Sequence, residues 1–429
     1  MMKRTAASGT TVTATPATVT ALIDEFAALS EPRSGPGVTR LAYTPLERRA
    51  HDVFTERMRA AGLRVWTDAA GNTIAERQGT VAGLPAIGTG SHLDSVPNAG
   101  TFDGVAGVVA AMEVARLFTE NAVTHRHPLR FVVFAAEEGA RFGQACTGSR
   151  IAAGLTTAAD LDRFTDAEGT TLREAMRGSG IDPDRVDEAT WMRAEWAAFV
   201  ELHIEQGSVL DSSGTGLGVV DVISGSTRFR VDLHGRAAHS GGTPMELRID
   251  ALTAAAEIVL IAEELASDDE HDGTRVTVGR LDVEPNSITT IPGDCRLYVD
   301  VRDVDPARQR ATADEVLARA RTVADRRGVG FRSDMLADAS PVALPQLVRD
   351  AMAAACDQLD RRYRILPSGA SHDSQMISRV CPVGMLFVPS LNHGVSHSPD
   401  ELSTAEDITS GIEVLAATLL SLDTGLQTG

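Results

Sequence analysis

Apolar and polar positions alternate with more than one period along this chain, and each change of period marks an element. From Thr44 to Gly62 the apolar set Leu46, Ala50, Val53, Phe54, Met58 and Ala61 keeps a helical period, with Gly62 as the stop. Leu63–Trp66 and Asn72–Ala75 read as strands around a turn at Ala70–Gly71. Leu84–Ile87 reads as a short strand feeding a loop of small and polar residues, Gly88–Gly107. Gly104–Glu120 is strongly apolar and predicts a helix, with Asp103 as its N-cap. Leu129–Phe134 is an uninterrupted apolar strand that runs into Ala135-Ala136-Glu137-Glu138-Gly139. Residues 151–196 read as helices and loops in which Trp191 and Trp196 pack. Ala197–Gly207 alternates, so Glu201, His203 and Glu205 share one face of a strand.

From residue 222 the rhythm changes. Strand Ser226–His234, helix Pro244–Leu265, strands Thr274–Val283 and Cys295–Arg302, helix Pro306–Arg327 and strand Val329–Arg332 follow in turn. That order is the signature of a ferredoxin-like α+β unit. It is expected as a lid domain, 222–335, inserted into a catalytic domain made of 21–221 and 336–429. The second part of that domain reads as helix Leu344–Leu359, loop Pro367–Ser374, strand Val383–Val388, loop Gly394–Glu401 and helix Thr404–Leu422. Residues 1–20 are rich in Thr, Ala and Ser and read as a disordered tail. Lys3 and Arg4 are not followed by the apolar stretch of a signal peptide.

Composition narrows the function classes. The 429 residues are long for one compact core, so two domains are expected. A net charge of −19 with no Lys/Arg-rich block argues against a nucleic-acid partner. No apolar run is long enough for a membrane span. The four cysteines are scattered with no paired spacing, which fits buried thiols in a reducing, cytoplasmic setting.

The polar residues predicted at strand ends carry the chemistry. They are His92, Asp103, Glu137, Glu138, His203 and His397. A lone His-x-Asp is ordinarily a loop hydrogen bond, and adjacent acids can sit on an exposed turn. Together, three imidazoles and three carboxylates suit two divalent metals that share Asp103, whereas one metal would leave buried carboxylates repelling each other. Glu137 and Glu138 point apart, so one can bind metal and the other can serve as general base. Asp94, two residues from His92, fits a partner that fixes the imidazole tautomer.

These residues stand in the stretches SHLDSV, GTFDGVAGV, AAEEGARFG, ELHIEQG, GRAAHSGGTPMELRIDAL, SGASHD and GVSHSPDE. In that order they resemble the M20 metallopeptidase clan, and within it the hydantoinase/carbamoylase amidases. The resemblance implies an α/β fold: a di-metal aminopeptidase-like catalytic domain with an inserted ferredoxin-like lid and dimerisation domain. It implies one metal on His92, Asp103 and His203, a second on Asp103, Glu138 and His397, and Glu137 as the base. The ions would be Zn²⁺ or Mn²⁺, with Co²⁺ or Ni²⁺ as alternatives. His239 matches a lid histidine that reaches a neighbouring subunit's site, Gln206 a substrate-contacting glutamine, and Arg302 the arginine that grips a substrate carboxylate. A homodimer is implied, with lid residues completing the partner's site.

Two positions depart from the family pattern. Thr289 stands where a substrate-binding asparagine is expected, and Ser371 where a glycine lies against the substrate. A shorter hydroxyl replaces an amide, and a close-approach position gains a side chain. The expected activity is hydrolysis of a linear C–N amide bond in a small ureido acid, first an N-carbamoyl amino acid. N-acyl or N-formyl amino acids, allantoate and ureidoglycolate are the alternatives within that chemistry. An inactive binding protein on the same fold is the alternative outside it.

Overall fold

The computed structural model describes residues 12–32 and 35–426. The chain divides into two compact units, Met1–Asp221 with Leu344–Gly429, and Val222–Ala343. The expected end of the insert at 335 falls inside a strand, Gly330–Ala339. Its pairing with Gly225–His234 continues to Ala339, so the insert cannot end at 335.

In the first unit four parallel strands lie side by side, in the order Leu129–Phe134, Ala86–His92, Trp196–Ile204 and Val383–Val388. Helices Val105–Glu120 and Ala405–Gly425 bury Val108, Val109, Ile412 and Leu415 in one core with Val200 and Leu202 of the strands. That core is mainly Ala, Val, Leu and Ile, as a chain poor in aromatic residues requires. Trp191 and Trp196 stack with ring centroids 3.8 Å apart.

Three expectations are corrected. Residues 1–11 of the expected tail lie outside the described residues, but 16–20 begin a helix, Pro16–Ala27. Thr15 caps it, Pro16 occupies its first turn, and Val19, Leu22, Ile23 and Phe26 form its buried stripe. The Thr/Ala/Ser bias hides that stripe. Second, the strand expected to stop at Ile87 runs on to His92. Its small residues are there because neighbouring strands crowd it: a Cβ on Gly88 would meet the Phe199 and Trp196 rings, and one on Gly90 would lie 1.9 Å from Val132 O. Third, the helix expected from Pro244 begins at Ala251, where Asp250 accepts hydrogen bonds from Leu252 and Thr253 N–H. Only a short turn, Met245–Leu247, precedes it.

The second unit is a four-stranded antiparallel sheet in the order Gly330–Ala339, Gly225–His234, Asp294–Asp303, Arg275–Glu284. Helices Ala251–Ala266 and Pro306–Arg327 pack on it through Ile258, Leu265, Val316 and Val323. This is the ferredoxin-like arrangement. Among the described residues no helix is long and apolar enough to cross a membrane.

Gly90→Ala should destabilise the fold by roughly 3 kcal/mol, because the clash is with backbone and cannot be relieved by a rotamer. The measurement is the thermal unfolding midpoint. Gly279→Ala, with nothing within 4 Å of the added methyl, is the control expected to leave it unchanged.

Candidate metal centre

The parallel strands bring the sequence-predicted groups to one edge of the sheet. His92 is the last residue of its strand and pairs with Phe134, three residues before Glu137. His203 is next to last in the adjacent strand, and the two imidazole centroids are 5.9 Å apart. His397 lies in the loop beyond Val383–Val388. Open α/β sheets form their sites in this crevice, past the carboxyl ends of the strands.

Asp103 is the common neighbour. Its Oδ1 lies 3.3 Å from His203 Nε2 and 3.8 Å from His92 Nε2, while Oδ2 lies 3.2 Å from His397 Nε2. His397 Nε2 is also 3.3 Å from Glu138 Oε1. Of three groups of potential ligands among the described residues, one is Glu201–His203–His372, and the other two, His92–Asp103–His203 and Asp103–Glu138–His397, share Asp103. Its side chain makes no helix-capping hydrogen bond; Gly104, at φ +67°, holds the N-cap of Val105–Glu120. The expected capping role is therefore absent, and the carboxylate faces the histidines, with Gln206 Nε2 and Ser396 Oγ donating to its Oδ2.

The donor set fits divalent metals. His203 Nε2 and Glu138 Oε1 are buried and make no hydrogen bond, although each lies 3.3 Å from an oppositely charged group. Imidazole nitrogens and carboxylate oxygens without a thiolate suit Zn²⁺ or Mn²⁺. The local field is strong. Burial pushes the Glu138 carboxyl up to about 7, with Asp103 adding to the rise. Contact with Asp103 pulls His397 up to about 9 against its own burial. Burial drives Glu137 well above the usual carboxylate range, with His92 opposing.

A backbone cradle sets the two glutamates. Ala135 N–H donates to Asn72 Oδ1 (3.0 Å) and Ala136 N–H to Glu47 Oε1 (3.1 Å). Glu137 and Glu138 N–H donate to the two oxygens of Asp94, both at 2.9 Å. The carbonyls of Ala135, Ala136 and Glu137 accept from Gly148, Thr147 and Cys146 N–H. Ala136 is held at φ +55°, a conformation that costs an L residue on the order of 1 kcal/mol. The turn persists because the N–H groups of Ala135 to Glu138 and the carbonyls of Ala135 to Glu137 are all paired.

This changes the expected part of Asp94. Its carboxylate is 3.6 Å from His92 Nδ1, too far for a hydrogen bond, and is already engaged by the glutamate backbone. Asp94 meets the imidazole through its carbonyl oxygen instead, at 3.1 Å from Nδ1. Gln206, at φ +53°, donates from Nε2 to Asp103 Oδ2 at 2.7 Å. Ser371 is half-buried in the loop between Tyr363–Ser368 and Asp373–Ile377.

His239, Thr289 and Arg302 belong to the second unit. His239 is exposed, and its Nδ1 accepts from Gly241 and Gly242 N–H at 3.1 Å, which places the ring proton on Nε2. Thr289 is exposed beside it, its carbonyl accepting from Ser240 N–H. Arg302 lies near the far end of Asp294–Asp303 and donates to Asp300 at 2.9 Å.

Sequence reasoning missed several supporting acids. Glu47 shows only as a first-turn acid after Thr44, yet its carboxylate holds Ala136. Glu401 accepts from Phe102 and Asp103 N–H and from Ser396 Oγ. Glu201 shares a face with His203, as alternation predicts, but its oxygens accept from Ser91 Oγ and Ser374 N–H. Glu205 does not continue that face; it accepts from Val209 and Leu210 N–H beyond the strand.

Fold and site define a class. Residues 88–421 match Peptidase family M20/M25/M40, and the chain belongs to that family. Its relatives are more particular. The chain is 43% identical to an N-carbamoyl-L-amino acid amidohydrolase of Geobacillus stearothermophilus, covering 91% of this chain and 94% of the other. It is 36% identical to a ureidoglycolate hydrolase of Arabidopsis thaliana, covering 94% and 86%. The crystal structure of a hydantoinase/carbamoylase family amidase from Burkholderia vietnamiensis superposes with a TM-score of 0.88 at 31% identity, over 96% of this chain and 98% of that one.

Metal analysis after dialysis tests the shared ligand. Asp103→Ala should lose both ions, and His203→Ala and His397→Ala one each. Equal losses in all three variants would show that Asp103 does not bridge.

Proposed function

We propose that the protein is a metal-dependent amidohydrolase that cleaves a linear C–N amide bond of a small ureido acid, with an N-carbamoyl amino acid as its substrate. The observation that carries this reading is Asp103, set between two groups of ligands beside a buried carboxyl that belongs to neither. The named relative at 43% identity supports the substrate class. Two divalent cations, Zn²⁺ or Mn²⁺, held by His92, Asp103, Glu138, His203 and His397 would supply Lewis acidity toward the scissile carbonyl and toward water.

Glu137 is the base. It takes a proton from the attacking water and returns it to the leaving nitrogen. Net, one carbamoyl substrate and one water give the free amino acid, CO₂ and ammonia. Arg302 binds the substrate carboxylate as a planar fork. His239 offers its Nε2–H to the developing oxyanion.

His239 and Arg302 support a homodimer. Ala238–His239 pairs with Thr290–Ile291 just before the start of Asp294–Asp303, and Arg302 is near that strand's end. At the rise of an extended strand they are on the order of 25 Å apart, more than one small substrate spans. Two subunits that exchange these residues would give each site one of each. Four free, buried cysteines fit a cytoplasmic setting.

A second reading rests on Thr289 and Ser371. A lost amide and an added side chain favour a different acyl group, such as formyl or acetyl, or the substrates allantoate and ureidoglycolate. A panel of carbamoyl, formyl and acetyl α- and β-amino acids with those two compounds, assayed with Zn²⁺ and Mn²⁺ separately, decides between them. Carbamoyl substrates should be turned over fastest; no hydrolysis across the panel would overturn the enzyme reading. Glu137→Gln should keep its metal and lose about 10²- to 10⁴-fold in kcat. Arg302→Ala should raise KM by at least about tenfold with kcat little changed.

A further inference from the structure

The two oxygens of Glu137 face different surroundings. Oε2 looks toward the ligand groups, 3.8 Å from His92 Nε2. Oε1 looks inward and accepts a hydrogen bond from the Cys146 thiol, with Sγ and Oε1 3.1 Å apart. Both residues are buried. Burial, reinforced by the charges of Glu137 and Asp373, holds Cys146 well above its ordinary value, so sulfur carries the proton and donates.

Cys146 is itself fixed from several sides. Its N–H donates to Glu137 O at 2.6 Å, and its carbonyl accepts from Arg150 N–H and Ser149 Oγ. Its backbone is left-handed, φ +59° and ψ +36°, immediately before the helix Thr147–Ala152. Glycine adopts that conformation without strain, and cysteine does not. The side chain that occupies this strained position is the one that meets the carboxylate.

We propose that Cys146 is a positioning residue for the reaction: its thiol holds Oε1 of Glu137, so that Oε2 is the oxygen that receives the proton of water and delivers it to the leaving nitrogen. No bond to sulfur forms or breaks, and the thiol keeps its proton throughout. A thiol suits this task because it is a weak donor, which fixes the carboxylate's rotamer while drawing little of its basicity. The inference rests on the reading of Glu137 as the base.

Two variants test it without depending on a fragile fold. Cys146→Gly removes the thiol and relieves the left-handed backbone, so the melting midpoint should not fall. Its kcat should drop about 10- to 100-fold, the scale of a misplaced catalytic group, with KM and bound metal unchanged. Cys146→Ser, which restores a donor, should recover kcat to within a few-fold of wild type. The assay uses whichever member of the substrate panel is turned over fastest. In a Glu137→Gln background Cys146→Gly should have no further effect, since the group it positions is gone. Wild-type kcat in Cys146→Gly, or no recovery in Cys146→Ser, overturns the inference. Full activity in Glu137→Gln instead overturns the reading of Glu137 as the base.

Discussion

Four consecutive backbone N–H groups leave the end of the Leu129–Phe134 strand without strand partners, and side chains from three distant segments take them. Asn72, Glu47 and Asp94 receive the N–H groups of Ala135 through Glu138, while the segment 146–148 donates to the carbonyls between. A buried polar backbone without partners costs several kcal/mol, so this turn exists only while all three acceptors are in place. The turn sends Glu138 Oε1 to His397 and Glu137 Oε2 toward His92. The reactive geometry thus rests on main-chain hydrogen bonds whose side-chain acceptors are not themselves ligand residues.

The same economy governs the charges. Asp94, Asp103, Glu137, Glu138, Glu201, Asp373 and Glu401 are all buried in the first unit. The carboxylate oxygens of Asp94, Glu201 and Glu401 are hydrogen-bonded by backbone N–H and serine donors. Asp103, Glu137 and Glu138 crowd toward the imidazoles of His92, His203 and His397, Asp373 accepts from Ser149 Oγ, and Glu138 Oε1 and Asp373 Oδ2 still lack a hydrogen bond. Buried carboxylates so close together require positive charge that the chain's own side chains do not fully supply. That requirement is the physical content of the case for two divalent ions.

The second unit contributes a different kind of group. His239 and Thr289 are exposed on a short ribbon, and Arg302 is half-buried near the opposite end of a long strand. None has the preorganised burial of the first unit's acids. Exposed groups of this sort select substrates when a second surface covers them, which is the role proposed for the lid residues of a dimer.

The sequence by itself determined the elements and the chemical inventory. Periodicity marked the strand that carries His203, the start of the strand that reaches His92 and the β-α-β-β-α-β insert, because apolar spacing follows directly from which face of an element is buried. His92, Asp103, Glu137, Glu138, His203 and His397 could be picked out as candidate ligands because a metal's donor chemistry admits few residue types, while the choice of Glu138 over Glu137 came from the family resemblance. What only the tertiary structure decided were the partners across long separations. Glu47 lies 89 residues from Ala136, and Glu401 lies 298 from Asp103. Nothing local distinguishes either acid from a helix cap or a solvated loop residue. The extension of the strand from Ile87 to His92, the helix at Pro16 and the place of the Asp94 carboxylate were likewise settled by what packs against them. Which groups are present is written residue by residue; which oxygen faces which neighbour is a property of the folded contacts alone.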